Sequence, residues 1–158
     1  MQFTAAVLTI SDSSAAGHRD DLSGPAVRAA LEAKGFNVLA SHVSKDDQTN
    51  IEVTLMDMCH LAQLVVTTGG TGIAERDVTP EATRTIADKI VDGIAERMRS
   101  EGAKKTPLAA LSRGVCAVRG KSLILNLPGS PSAATESLAA VIDILPHALE
   151  LLAGKTEH

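Results

Sequence analysis

Aromatic side chains are nearly missing: the 158-residue chain holds two phenylalanines and neither tryptophan nor tyrosine. Single-stranded nucleic acid is gripped by stacking bases on aromatic rings, and that platform is all but absent here. Basic charge is in deficit as well, and a formal net charge of −4 leaves no electrostatic footprint for a phosphate backbone. Cysteine occurs only at Cys59 and Cys116, far apart and in no C-x-x-C pattern. Two such residues make no disulfide scaffold and read as core thiols in a reducing cytoplasm. No run reaches the ~18 apolar residues of a membrane span. Residues 1–10 lack the basic start and small-residue cleavage site of a secretory signal. His18, His42, His60, His147 and His158 show no metal-ligand spacing and are given no role.

What is present is aliphatic. At 44% hydrophobic the chain can bury a sizeable core of Val, Leu, Ile and Ala, and its length suits one domain over residues 1–158. An acidic chain that binds phosphates needs backbone N–H donors, a few placed basic groups and a divalent cation. Residues 64–83 (LVVTTGGTGIAERDVTPEAT) bring such groups together. A β-branched run ends at Gly69-Gly70-Thr71-Gly72, and a helix start follows at Thr79-Pro80-Glu81. Glycine admits positive φ and close approach of a ligand, and successive N–H groups in such a turn form a concave anion site. Asp77 then sets a carboxylate where a cradled phosphate calls for a metal ion or a general base. The turn matches neither G-x-x-x-x-G-K-[ST] nor G-x-G-x-x-G. On spacing alone, a ligand-free strand-to-helix turn therefore stands beside the phosphate reading.

The rest of the chain alternates. Residues 3–10 read as a strand covered on both faces. Ser23-Gly24-Pro25 opens a helix that Gly35 ends. Residues 36–43 form a second strand. Thr49 with Glu52 makes a capping box for a helix whose apolar face is Ile51, Leu55, Met58, Cys59 and Ala62. After the central strand, Thr79 is the expected N-cap of a helix burying Ala82, Ile86 and Ile90, and Gly93 separates it from a second helical piece at residues 94–100. A short helical stretch is expected at residues 108–112. Residues 114–118 and 122–127 are β-rich runs joined at Arg119-Gly120-Lys121, as a hairpin or as a crossover of neighbours. A closing helix spans residues 133–145, with Ser130 as N-cap, a kink or restart at Pro146 and an end at Gly154.

Alternation of this sort predicts an α/β sandwich on a parallel sheet. Ligands of such sheets bind beyond the carboxyl ends of the strands, at a switch in strand order. The loops bearing Ser11-Asp12, Asp46-Asp47, Gly69 to Asp77 and Pro128 to Pro131 each follow a strand. That coincidence favours a ligand over a bare turn.

Five segments in order, TISDS (9–13), TTGGTG (67–72), RDVTPEAT (76–83), LSR (111–113) and LNLPGSP (125–131), resemble the molybdopterin adenylyltransferase family, the MogA/MoaB group that includes the gephyrin G domain. The resemblance covers nearly the whole chain. It implies a three-layer α/β/α sandwich with a mostly parallel sheet, a homotrimer, and a role in molybdenum cofactor biosynthesis. The implied reaction is magnesium-dependent adenylyl transfer from ATP to the terminal phosphate of molybdopterin, releasing pyrophosphate. A downstream metal-inserting protein takes the product.

By motif, Asp77 and Asp46 are the implied catalytic and magnesium-binding carboxylates. Family members carry Pro-Asp-Glu where this chain reads Lys45-Asp46-Asp47, so either Asp46 or Asp47 can be the working acid. Ser11, Asp12, Gly69, Gly70, Thr71 and Gly72 are assigned to nucleotide and phosphate, and Ser112, Arg113, Pro128, Gly129 and Ser130 to the pterin. Pressing one phosphate onto another gathers negative charge, so positioning and charge neutralisation carry such a reaction. Magnesium typically takes one or two carboxylates plus substrate phosphates. Two further readings stay open: a trimer that binds molybdopterin without catalysis, and a nucleotide-cleaving enzyme like the related competence-damage domain. Neither nucleic acid nor a membrane is an expected partner.

Overall fold

Strand side chains point alternately to opposite faces, and here both faces are apolar. The computed structural model describes residues 2–156; His158 lies outside them. In chain order the elements are β1 (Thr4–Ile10), α1 (Asp12–Ala15), α2 (Ser23–Ala33), β2 (Asn37–Ser44), α3 (Gln48–Leu61), β3 (Leu64–Thr68), α4 (Thr79–Ile86), β4 (Lys89–Ile90), α5 (Asp92–Ala103), a 3-10 turn (Pro107–Leu111), β5 (Cys116–Arg119), β6 (Ser122–Leu127), α6 (Pro131–Val141) and α7 (Leu145–Leu152). The strands form one six-stranded sheet in the order β2-β1-β3-β6-β5-β4. β2, β1, β3 and β6 run parallel, and β5 is antiparallel to both its neighbours.

The alternation yields two cores. Ala5 and Val7 of β1, Leu64 and Val66 of β3, and Leu123 and Leu125 of β6 pack with Val27, Leu31, Met98, Leu138 and Leu149 of α2, α5, α6 and α7. Ala6, Leu8 and Ile10, Val65 and Ile124 pack instead with Ile51, Leu55, Met58, Ala82 and Ile86 of α3 and α4. Helices therefore cover both faces, which is the three-layer α/β/α sandwich. Among the described residues no helix is long and apolar enough to cross a membrane.

Several boundaries differ from expectation. The Thr49–Glu52 capping box does not form: α3 begins at Gln48, with Asp47 in the N-cap position and no side-chain cap bond. Ile90 leaves the expected helical face and pairs with Ala117 in β4, so this two-residue strand separates α4 from α5 and Gly93 lies inside α5. The two β-rich runs form a hairpin of β5 and β6, with Arg119 paired to Ser122 across Gly120-Lys121. Cys116 is buried but Cys59 only partly so, and burial pushes their thiols up to about 11 for Cys59 and about 12 for Cys116.

Candidate active site

The sheet places the loops. β1 lies between β2 and β3: the chain passes outward from β1 to the edge strand β2, and it returns to β3 on the other side of β1. Beyond β1 the chain enters α2 on one face; beyond β3 it enters α4 on the other. Where neighbouring strands send their connections to opposite faces, a crevice opens at their carboxyl ends. The Ser11 N–H donates to the Ser44 carbonyl at 2.8 Å, drawing the ends of β1 and β2 together.

The turn after β3 is too tight for side chains. Gly69 and Gly70 have φ of +91° and +67°. A Cβ on Gly69 would overlap the Ile10 carbonyl, and one on Gly70 the Thr79 hydroxyl. The Gly69 N–H donates to the Leu127 carbonyl at 3.0 Å, so it is stitched to β6 and cannot serve a phosphate as expected. The amides of Gly70, Thr71 and Gly72 have no intramolecular acceptor among the described residues. Thr79 is the first residue of α4 rather than its N-cap. Its hydroxyl donates to the Gly69 carbonyl at 3.0 Å, which leaves it serving the turn instead of the helix.

Two carboxylates stand over this turn. A Cβ on Gly70 would lie 3.2 Å from Asp46 Oδ1, and one on Gly72 would lie 2.8 Å from Asp77 Oδ2. Asp46 is half-buried and lines the same cavity as Asp77, whereas Asp47 is exposed and does not. Burial, with the charges of Asp12 and Asp77 nearby, raises the Asp46 pKa despite a hydrogen bond from the Asp12 backbone. Asp12 and Asp46 exchange bonds: the Asp46 N–H donates to Asp12 Oδ1 at 2.9 Å and the Asp12 N–H to Asp46 Oδ2 at 3.0 Å. Arg76 adds a bidentate pair to Asp12 at 2.8 and 2.9 Å. The Asp46 amide, then Arg76, hold the Asp12 carboxyl below its usual range. Sequence reasoning misses Arg76 as a site residue; its one available signal is a place beside Asp77 in a polar loop.

Two cavities flank the turn. The first, about 570 Å³, is lined by Ser11, Asp12, Asp46, Gly69, Gly70, Asp77, Gly129 and Ser130 among others. The second, about 540 Å³, lies between α5, the 3-10 turn and α6 and is mostly apolar. Thr71, Gly72, Ser112 and Pro128 face this second space. Ser130 caps α6, accepting from the Ala133 N–H at 3.2 Å. Arg113 lines neither cavity. Its guanidinium is engaged by the Gly72 and Asp77 carbonyls, both at 2.8 Å, and by the Glu81 carboxylate at 2.6 and 3.1 Å.

Residues 6–147 match a family described as a probable molybdopterin binding domain. The chain belongs to this family, in its MogA/MoaB group. It is 43% identical to a molybdopterin adenylyltransferase of Helicobacter pylori (strain J99), over 94% of this chain and 86% of that one. The molybdopterin biosynthesis enzyme MoaB of Thermus thermophilus superposes with a TM-score of 0.91 at 49% identity, covering 97% of this chain and 98% of that one. The tungsten cofactor synthesizing protein MoaB of Pyrococcus furiosus superposes at 0.88 with 30% identity, covering 96% of this chain and 97% of that one.

In this chain the polar cavity lies at the carboxyl ends of β1 and β3, and the donor set there suits a hard divalent cation. Among the described residues no group of three or more His, Cys, Asp or Glu forms a ready-made metal cage. Two converging carboxylates without a cage fit a magnesium ion that completes its shell with water and substrate phosphates.

Proposed function

We propose that this chain acts in molybdenum cofactor biosynthesis by transferring an adenylyl group from ATP to the terminal phosphate of molybdopterin, with magnesium. A phosphate oxygen of molybdopterin forms a bond to the α-phosphorus of ATP, the bond from that phosphorus to the bridging oxygen breaks, and pyrophosphate leaves. The convergence of Asp46 and Asp77 over the Gly70–Gly72 amides carries this reading. Magnesium bound between these carboxylates and the polyphosphate would neutralise the charge gathered there. The amides of Gly70, Thr71 and Gly72 cradle phosphate oxygens, and Ser11 and Asp12 lie beside the nucleotide. Ser112 and Pro128 in the second cavity, with Gly129 and Ser130 in the first, serve the pterin.

A homotrimer is part of the proposal. Leu108 and Leu111, 69% and 49% exposed at the second cavity, and Ile73, 71% exposed, supply apolar surface for contact between copies. The setting is the cytoplasm, where free thiols suit Cys59 and Cys116, and the adenylylated product passes to a metal-inserting protein.

The test incubates the pure protein with molybdopterin, ATP and magnesium and follows adenylylated molybdopterin and pyrophosphate. Asp77→Asn should lower turnover by about 100-fold or more while the oligomer persists. Molybdopterin binding with no pyrophosphate from the wild-type protein would instead establish a binding-only protein.

A further inference from the structure

We propose that Arg113 and Glu81 are positioning residues, a brace that fixes the backbone on either side of the loop carrying Asp77, and that Arg113 is not a ligand for the molybdopterin phosphate. This rests on the adenylyl-transfer reading. The loop between Gly72 and Asp77 consists of four exposed residues, Ile73, Ala74, Glu75 and Arg76. On its outer side this loop is tied by the Arg76 pair to Asp12 and by the Asp77 N–H to the Ala74 carbonyl at 3.0 Å. Its two ends are held from behind by one side chain. Arg113 Nε donates to the Gly72 carbonyl at 2.8 Å, and Nη2 to the Asp77 carbonyl at 2.8 Å. The Arg113 backbone N–H adds a third tie, to the Thr71 carbonyl at 2.7 Å.

Glu81, in the first turn of α4, aims the fork. It accepts from Nη1 at 2.6 Å and from Nη2 at 3.1 Å, so the guanidinium plane is fixed by a bidentate carboxylate before it meets the loop. Four of the five guanidinium N–H donors are thereby used. The Asp77 carboxylate is steadied from within the same loop, accepting from the Ala74 N–H at 3.1 Å. Moving the Asp77 carbonyl therefore moves the acid standing over Gly72. A phosphate reaching Arg113 would have to displace Glu81, and Arg113 lines neither cavity through which it would arrive. Lysine gathers its three donors on one nitrogen at the end of a flexible stem, so it cannot reproduce the planar fork whose Nε, Nη1 and Nη2 meet Gly72, Asp77 and Glu81 together.

The experiment compares wild type, Arg113→Lys, Glu81→Gln and the double variant, each confirmed folded by its thermal melt. Calorimetry measures ATP binding across a magnesium titration and, separately, molybdopterin binding without nucleotide. Outer-shell partners typically contribute 10–100-fold to metal affinity. Each single variant should raise the magnesium needed for half-maximal ATP binding about tenfold, the double variant no more than either single, with molybdopterin affinity unchanged. Loss of molybdopterin affinity in Arg113→Lys with an unchanged magnesium requirement would overturn the brace. So would tighter molybdopterin binding in Glu81→Gln, the mark of a freed phosphate ligand. Amide hydrogen exchange at residues 73–77, read with no ligand, separates this from failure of the transfer reading. It should speed up about tenfold in both single variants, and unchanged protection would overturn the brace whatever reaction the wild type performs.

Discussion

Two turns in this molecule use glycine at positive φ for different reasons. Gly69 ends the central strand at φ +91°, and a Cβ there would run into the Ile10 carbonyl of the neighbouring strand. Gly120 turns the β5–β6 hairpin at φ +59°, and a Cβ there would meet nothing within 4 Å. At the hairpin glycine satisfies a dihedral angle. At the end of β3 it satisfies a dihedral angle and also lets one loop lie directly against another. The second demand arises where β1, β3 and β6 end together, and there the carboxylates gather. A glycine's neighbours, rather than its φ, separate a site from a turn.

Gly69→Ala should break the comparison most sharply. Left-handed strain and overlap with a backbone carbonyl together cost about 3 kcal/mol, read as a fall in the urea midpoint. Next comes the acid over the turn. The Asp46 pKa is raised by burial and by its acidic neighbours, so Asp46 takes up a proton at a higher pH than an ordinary aspartate. Protonation would remove the anionic ligand proposed for magnesium, so magnesium-dependent ATP binding should weaken as the pH falls, beginning at a higher pH than for an ordinary aspartate. Asp46→Asn should abolish that acid limb and weaken binding at neutral pH by at least ~10-fold. An acid limb that survives in Asp46→Asn would assign it to another group.

Much of this was legible before any coordinates. Continuous apolar runs marked β1, β3 and β6, and chain alternation marked the layers, because both signals are local. The loops at the carboxyl ends of the strands were legible for the same reason, since each begins where an apolar run stops. Less legible were elements whose cause lies elsewhere in the chain. A two-residue strand such as β4 has no period, and Ile90 there reads equally well as the next turn of a helix. Thr79 has the composition of an N-cap, but its hydroxyl is drawn to the Gly69 carbonyl, ten residues back. Arg113 meets Gly72, Asp77 and Glu81 across 41, 36 and 32 residues, separations that no pattern encodes. Motif resemblance registers Arg113 by its place in a segment and carries nothing about the direction of its side chain.

A smaller effect sharpens the brace. Arg113 lowers the Glu81 pKa, chiefly through their hydrogen bonds. Because the folded value lies below the ordinary 4.5, the stabilisation is fully present above that pH and is lost as the pH falls through the depressed folded value. The pair is 37% and 43% exposed, so its worth is held to about 1 kcal/mol. Urea midpoints should fall between pH 5 and pH 3 in wild type, by about that amount more than in Glu81→Gln.

The smallest effect belongs to the hairpin. Open space around Gly120 leaves only the φ of +59° to be met, and Asn meets positive φ more readily than other non-glycine residues. Lys121, the second loop residue, is not at positive φ, and glycine at the first position alone is the pattern of a type II′ hairpin turn. The Gly120 N–H donates to Asp88 at 2.7 Å, a bond from the backbone that substitution retains. Gly120→Asn should therefore lower the urea midpoint by about 1 kcal/mol, the dihedral strain alone, and leave ATP binding alone. The same asparagine at Gly69 meets the Ile10 carbonyl whatever its φ tolerance. Equal losses at the two positions would mean that the crowding between β1 and β3 contributes nothing, and the distinction between the two glycines would fall with it.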